Sequence, residues 1–329
     1  MKIYNRIVVI SLSFMLFFAC SEPIDIDIEE QDRVIVLNGF INPDSTIRIN
    51  LSKSLGVLEP DNNFSFITDA EVKLYEDGEF VENVESFDYG MYEAALRPTA
   101  GKTYRITAST AVLNNIVAET KIPIRVPITE VTSDFQLDSV VEQWWNPQTQ
   151  EYFDTTIIQM SEQGTIQFKF NDPAQENNFY FVTISALMPE YSWQDGEPEP
   201  IQTGVYMQSI DYDNNTLPYE NNLYMNNFTG YVFSDNLFDG QEHAFSAIIN
   251  SWSFGYGENS SLPQSPLYIH LHSVTEDFYN FVSSYSKYDE SQYNPFTEPV
   301  NVFSNIENGY GFFTGYSTYI DSVSLSANN

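Results

Sequence analysis

The sequence predicts an all-β protein in two parts. Three observations support this: short apolar runs with a period of two, turn residues between them, and only one stretch with helical spacing. Residues 33–124 are expected to form an N-terminal β-sandwich of the Ig-like or transthyretin-like kind. Residues 125–329 are expected to form a second, larger β-rich domain with one amphipathic helix.

The N-terminal part contains strand patterns separated by turn residues. RVIVLNGFI, at residues 33–41, reads as a buried strand, and STIRINLSKS, at residues 45–54, alternates apolar and polar positions. Asp-Gly at residues 77–78 is a favoured hairpin dipeptide, and Asn-Asn at residues 114–115 marks a second turn. Strands at this spacing predict a sandwich.

Two prolines mark the predicted junction between the parts. Pro123 and Pro127 lack the backbone N–H that a sheet ladder requires. Beyond them, the polar, Asn-rich segments from Tyr191 to Phe238 are expected to form loops longer than a compact sandwich needs. The strand-like runs in this part are GTIQFKFND, NFYFVTISALM, HAFSAIIN and SPLYIHLHSV.

One segment has helical periodicity. In SVTEDFYNFVSSYSKYDE the apolar side chains recur three and four residues apart, and Ser273 and Glu276 fit a capping box ahead of them. The stripe is expected to pack against the second sheet as core, and its members are Phe278, Phe281, Val282 and Tyr285.

The N-terminus reads as a lipoprotein signal peptide over residues 1–19. Lys2 and Arg6 precede an uncharged apolar run that is too short for a comfortable transmembrane helix. The run ends at Cys20, the only cysteine, in a pattern that resembles a bacterial lipobox. We therefore expect Cys20 to carry lipid that anchors the protein to the outer membrane, whereas a plain signal peptide would leave this thiol without a role.

An acidic segment follows the cysteine. Residues 20–32 are expected to form a tether, in which Ser21 and Glu22 lead into alternating acids. Such a patch resembles the surface-export signals of Bacteroidota lipoproteins and favours display on the cell surface. The alternative is a solvated tether that only keeps the folded part away from the membrane.

Composition limits the partners. The formal net charge is −33, so the field of the protein repels phosphate backbones and argues against nucleic-acid binding. The aromatic content of 16% is too high for a disordered chain. No pattern calls for a cofactor.

Six segments together carry a family resemblance, and they are RVIVLNGFI, GKTYRIT, IPIRVPITEV, FNDPAQENNFY, DNLFDGQEHAF and NPFTEPVNVFSNIENGYGFF. With them the chain resembles the Bacteroidota outer-membrane lipoprotein family catalogued as domain of unknown function 4249, from about Arg33 to about Tyr319 and most specifically over residues 294–313. The resemblance implies an all-β, two-part lipoprotein, often encoded near TonB-dependent outer-membrane receptors, and transfers no functional residues. His270 and His272 depart from the family pattern.

Signs of catalysis are weak. No Gly-x-Ser-x-Gly elbow occurs, the only cysteine is assigned to lipid, and the many acids make any carboxylate pair uninformative. Asp211 to Asn215 resembles the start of a calcium loop, but Thr216 and Asn222 stand where an EF-hand needs Gly and Glu. A polar loop is the better interpretation, and the protein is not expected to be an enzyme.

Tryptophans and histidines are the candidate binding residues. Trp144, Trp145 and Trp193 lie in polar, proline-flanked segments that are expected to be loops, which favours partial exposure. They could stack on sugars, although half-buried edges suit an indole equally well. His270 and His272, two apart on one strand, could share a metal ion, and His243 opens another strand that could lie alongside. Two solvent-facing imidazoles without a metal are the favoured alternative.

Four short Asp-Ser/Thr motifs are candidate O-glycosylation sites. The modified hydroxyls would be those of Ser45, Ser139, Thr155 and Ser322, with exposed copies the better candidates.

These observations favour a surface-exposed lipoprotein that binds ligands beside a TonB-dependent receptor in nutrient uptake. The alternatives are a surface hydrolase or metal-dependent enzyme, and a purely structural envelope component.

Overall fold

The computed structural model describes residues 32–56, 65–134, 137–146, 149–160, 164–194, 197–207, 210–212, 222–225, 228–249, 253–256, 266–292, 298 and 300–324. Within these residues the protein is mostly β-strand, with one helix, α1 (Glu276–Gln292). This confirms the predicted all-β class. The strands are β1 (Ile35–Ile41), β2 (Arg48–Lys53), β3 (Glu71–Glu76), β4 (Glu79–Asp88), β5 (Met91–Glu93), β6 (Thr103–Ser109), β7 (Ile116–Lys121), β8 (Ile128–Asp134), β9 (Leu137–Asn146), β10 (Glu151–Met160), β11 (Gly164–Asn171), β12 (Phe179–Gln194), β13 (Glu197–Met207), β14 (Ile210–Tyr212), β15 (Asn222–Met225), β16 (Phe228–Ser234), β17 (Glu242–Ile249), β18 (Ser253–Tyr256), β19 (Leu267–Val274), β20 (Ile306–Glu307) and β21 (Tyr310–Val323).

One path of paired strands runs through both halves of the described chain. Its order is β15-β16-β12-β19-β21-β1-β2-β5-β4-β3-β6-β7-β20, and β13 pairs with β12 beside it. The link between the halves is the parallel pairing of β1 with β21, in which Val36 lies opposite Tyr310. Two smaller sheets have the orders β14-β17-β11-β8 and β18-β10-β9.

The first hydrophobic cluster lies in the N-terminal half. Alternate residues of the strands point inward, so Ile47, Ile49 and Leu51 are buried while Arg48 is exposed. Ile306 and Phe313, from the end of the chain, belong to the same cluster. The N-terminal core is therefore completed by residues more than 180 positions away in the sequence, and its assignment as Ig-like or transthyretin-like stays a prediction.

The predicted hairpin turns are present. Asp77 and Gly78, with φ of 48° and 86°, connect β3 to β4 in the left-handed conformations that a two-residue turn requires. The hairpin of β6 and β7 is also confirmed, and there the Thr110 hydroxyl accepts hydrogen bonds from the backbone N–H groups of Val112 and Leu113.

The second hydrophobic cluster lies between the four-stranded sheet and strands β12 and β19. Phe168 and Phe245, which lie opposite each other on β11 and β17, stack within it, with ring centroids 5.2 Å apart. Val126 belongs to this cluster and Ile122 to the first one. The predicted junction at residue 124 thus lies between the cores, and the division into two domains there stays a prediction.

Helix α1 packs on the opposite face of β12 and β19. Phe278, Phe281 and Val282 join Phe181 and Val232 in a third cluster, which confirms the core role of the predicted stripe. The predicted capping residue is wrong. Ser273 is buried in β19, where it accepts from the Val126 N–H, and Thr275 caps the helix by accepting from the Phe278 N–H.

Candidate functional site

The hairpin of β9 and β10 carries an aromatic surface outside the hydrophobic clusters. Trp145 lies opposite Tyr152, and Trp144 lies opposite Phe153. Because successive strand residues point to opposite sides, the two tryptophans belong to different faces of the hairpin. The face formed by Val141, Gln143, Trp145, Tyr152 and Asp154 is called the Trp145 face below.

The Trp145 face is open to solvent. Val141, Trp145 and Tyr152 are 63%, 50% and 68% exposed, respectively. The rings of Trp145 and Tyr152 meet edge to face, with centroids 5.1 Å apart and planes at 62°. Large side chains held in this way offer apolar area to a ligand at a small cost in side-chain entropy.

A polar pair lies beside the two rings. The Gln143 Nε2 donates to Asp154 Oδ1 at 3.0 Å, and both side chains are exposed. Residues 137–160 include four acids and no Lys, Arg or His. The hairpin is therefore suited to neutral or cationic ligands and repels anions.

Trp144 does not join this surface. Trp144 is half-buried on the opposite face, where its Nε1 donates to Glu142 Oε2 at 3.1 Å. The backbone of Trp193 lies in β12 opposite Pro198, and its side chain lies outside the described residues.

The prediction of long loops from Tyr191 to Phe238 is wrong where the chain is described, because strands β12 to β16 occupy much of this segment. Pro198 and Pro200 lie in strand β13. Among the described strands β13 pairs with β12 alone, and a strand at the edge of a sheet tolerates proline better than a central strand does. The segment that resembles the start of a calcium loop begins in β14 at Asp211, and residues 213–221 lie outside the described part.

His270 and His272 share one face of β19, as predicted, and their rings stack with centroids 6.0 Å apart. His270 Nε2 lies 2.8 Å from Ser185 Oγ, and His272 is bonded on both sides, to Thr183 Oγ1 and Thr318 Oγ1. Burial lowers the pKa of both histidines, that of His272 to about 3, where His270 also contributes. Metal binding by the pair stays a prediction.

The strand of His243, considered above as a possible neighbour, does not pair with β19. This strand, β17, pairs with β11 and β14 in the four-stranded sheet. The ring stacks on Phe238 at 4.0 Å between centroids, and burial lowers its pKa to about 4.

The structure brings together three carboxylates that the sequence did not single out. Asp172 follows β11, and Asp235 and Asp239 follow β16, so two loops meet with carboxylate oxygens within 4.8 Å of one another. Within the described part, no other group of three or more His, Cys, Asp or Glu side chains is placed to hold a metal ion. Oxygen donors of this type suit a hard cation such as Ca²⁺.

The carboxylates also bond to the chain itself. Asp172 accepts from the Tyr180 hydroxyl and the Gly240 N–H, Asp235 from the Asn178 N–H, and Asp239 from the Gln175 N–H. Burial raises the pKa of Asp172, and the two hydrogen bonds oppose this shift. The arrangement joins the two loops without requiring an ion.

Two of the four predicted O-glycosylation residues can be placed. Ser45, in the turn between β1 and β2, and Ser322, near the end of β21, are both exposed. The side chains of Ser139 and Thr155 lie outside the described part, and so do residues 1–31, which include Cys20, the predicted signal peptide and most of the predicted tether.

Sequence reasoning missed Gln143, Tyr152 and Asp154 on the Trp145 face. The segment EQWWNPQTQEYFD contains the signal, because a turn-forming Asn-Pro and a short polar stretch separate two aromatic runs of equal length. If this segment is interpreted as a hairpin, Trp145 is paired with Tyr152. Asp172 and the Asp235–Asp239 loop gave no such signal, since their proximity depends on non-local strand pairing.

Comparisons with known proteins place the chain in a family. Among the described residues, no helix combines the length and apolar character needed to span a bilayer. A search of curated proteins finds no match. A family model described as "Domain of unknown function (DUF4249)" matches residues 21–320. The match covers nearly the whole chain, so this protein belongs to the DUF4249 family.

Proposed function

We propose that the protein is a surface-exposed outer-membrane lipoprotein that binds a ligand without catalysis, as the accessory partner of a TonB-dependent receptor in nutrient uptake. The N-terminal sequence supports the anchoring part of this proposal. A charged start, an apolar run and Cys20 stand in the order of a lipoprotein signal, and an acidic segment of the surface-export type follows.

The Trp145 face carries the binding part of the proposal. A monomeric structural protein gains nothing from holding Trp145 and Tyr152 at least half-exposed and away from every described hydrophobic cluster. Exposed aromatic side chains on a regular hairpin are positioned without further ordering, which favours recognition of a ligand.

Charge limits the ligand class. With a net charge of −33 and no basic residue in the hairpin, the protein repels anions before contact. Neutral or cationic molecules are therefore the ligands that the receptor partner would receive from it.

Affinity purification tests the partnership. The full-length protein, tagged at its C-terminus in its native host, is purified from detergent-solubilised outer membranes, and co-purifying proteins are identified by mass spectrometry. We expect a TonB-dependent receptor to co-purify. Cys20→Ser is the control, because loss of the lipidated thiol should move the protein out of the membrane fraction. Recovery of the wild type without a receptor would contradict the partnership, and an unchanged membrane fraction for Cys20→Ser would contradict the anchor.

A further inference from the structure

We propose that the Trp145 face binds a neutral glycan, with Trp145 and Tyr152 against the C–H faces of sugar rings and the Gln143–Asp154 pair on their hydroxyls. This proposal deepens the proposed function, on which it rests for delivery of the glycan to a receptor. Four features of the described hairpin support it.

The first feature is the geometry of the rings. Trp145 and Tyr152 contact each other edge to face, so this contact covers at most one face of one of the two rings. Both side chains are at least half-exposed. Open aromatic faces of this kind match the apolar C–H side of a pyranose ring.

The second feature is the position of the polar pair. Gln143 and Asp154 lie opposite each other, two residues along the hairpin from Trp145 and Tyr152. Two strand residues span about 6.8 Å, so a sugar stacked on the Trp145 ring would have its rim of hydroxyls beside the pair.

The third feature is the hydrogen-bonding capacity of the pair. The amide of Gln143 offers donors and an acceptor, and the carboxylate of Asp154 offers two acceptor oxygens. One bond between them, at 3.0 Å, leaves further donors and acceptors facing solvent. Neighbouring hydroxyls of a sugar can both donate and accept, so they can use this mixed set.

The fourth feature is the distribution of charge. Glu142 and Glu151 belong to the opposite face of the hairpin, and Asp154 is the acid that lies beside the rings. A polycation would find one exposed carboxylate here, which contributes little to binding in water. An anionic glycan would find no basic partner. A neutral glycan suits the face best.

Calorimetric titration of the full-length lipidated protein in detergent tests the proposal. The neutral probes are maltohexaose, cellohexaose, mannohexaose and xylohexaose, and hexagalacturonate and hexalysine are the charged probes. We expect at least one neutral hexasaccharide to bind and hexagalacturonate to give no heat of binding. Trp145→Ala and Tyr152→Ala should each raise the Kd about tenfold or more, as loss of a central aromatic contact does.

Matched variants separate binding from folding. Trp145→Phe keeps a ring and should recover part of the affinity, and Trp144→Phe alters the opposite face and should leave the Kd unchanged. Circular dichroism checks that each variant is folded. The proposal is overturned if no neutral hexasaccharide binds, if the Trp145→Ala, Tyr152→Ala double variant binds as wild type does, or if hexalysine is the probe that depends on Trp145. The receptor co-purification experiment uses no glycan. A negative glycan titration therefore does not decide the receptor partnership, and a negative co-purification does not decide glycan binding.

Discussion

Asp172 shows what one buried carboxylate does in this fold. It lies in the loop after β11, yet it bonds to Tyr180 in β12 and to Gly240 in the loop after β16. Asp235 and Asp239 are close enough to repel it, and burial adds to that cost. The hydrogen bonds offset these penalties and hold the two loops together.

Replacement of Asp172 by Ala should lower the free energy of unfolding by about 2–4 kcal/mol, because the buried Tyr180 hydroxyl and the Gly240 N–H lose their partner. Asp239→Ala is the control. This carboxylate is exposed and accepts from the Gln175 N–H, so its loss should cost less than about 1 kcal/mol. Urea unfolding monitored by fluorescence measures both. Equal effects of the two substitutions would show that Asp172 does not join the loops.

His272 makes stability depend on pH. Its folded-state pKa of about 3 lies below its ordinary value of 6.5, so the unfolded chain binds a proton more readily. The stabilisation is complete above pH 6.5 and is lost as the pH falls towards 3. Between pH 7.5 and pH 5.5 the loss from this residue should be about 1.4 kcal/mol.

Comparison of His272→Asn with wild type at the two pH values isolates this contribution. The destabilisation caused by the substitution should shrink by about 1.4 kcal/mol at pH 5.5. Thr318→Val removes a hydrogen bond to the same ring, and its cost should change far less with pH. If the His272→Asn difference were constant across this range, the ring would not be held neutral by the fold.

At the scale of elements, the turn between β4 and β5 departs from the usual pattern. Tyr89 and Gly90, with φ of 33° and 73°, form a two-residue turn of the kind that favours Asn-Gly. A bulky side chain is strained at positive φ. Tyr89 is 72% exposed and contacts Phe66 edge to face at 6.2 Å, so little burial offsets the strain.

Tyr89→Asn should therefore raise the free energy of unfolding by about 1 kcal/mol. Asp77→Asn, at the corresponding position of the β3–β4 turn, is the matched control, because Asp already tolerates this conformation and should change stability by less than about 0.5 kcal/mol. Thermal unfolding of both variants gives the comparison. A destabilised Tyr89→Asn variant would mean that the ring contributes more through its contacts than the strain costs.

The elements that could be predicted from the sequence are those whose formation depends on residues close together in the chain. The Asp77-Gly78 turn, the inward alternation of Ile47, Ile49 and Leu51, and the α1 stripe all follow from patterns within a few residues. Thr275 caps the helix in place of Ser273, because Ser273 belongs to β19 and its side chain is buried there. The sequence predicts loops around Trp144 and Trp145 because Pro147 and the polar neighbours are typical of loops. The structure has a hairpin there instead.

At the scale of the whole molecule, pairing between strands that are distant in the sequence determines the features that sequence patterns could not predict. The parallel pairing of β1 with β21 joins strands more than 260 residues apart, and it places Phe313 in the N-terminal core. The Asp172 cluster depends on two loops more than 55 residues apart. No local periodicity in the sequence encodes such contacts. The Asp172 cluster can therefore be recognised only from the strand pairing of the folded structure.

Protease treatment of intact cells tests the central claim, that this acidic β-protein is displayed on the outside of the outer membrane, most directly. Cells of the native host are treated with a non-permeant protease, and the full-length protein is followed by immunoblot beside a periplasmic control protein. Display predicts that the protein is cleaved in intact cells while the periplasmic control survives. Resistance of the protein until the cells are broken, with cleavage only then, would contradict the account.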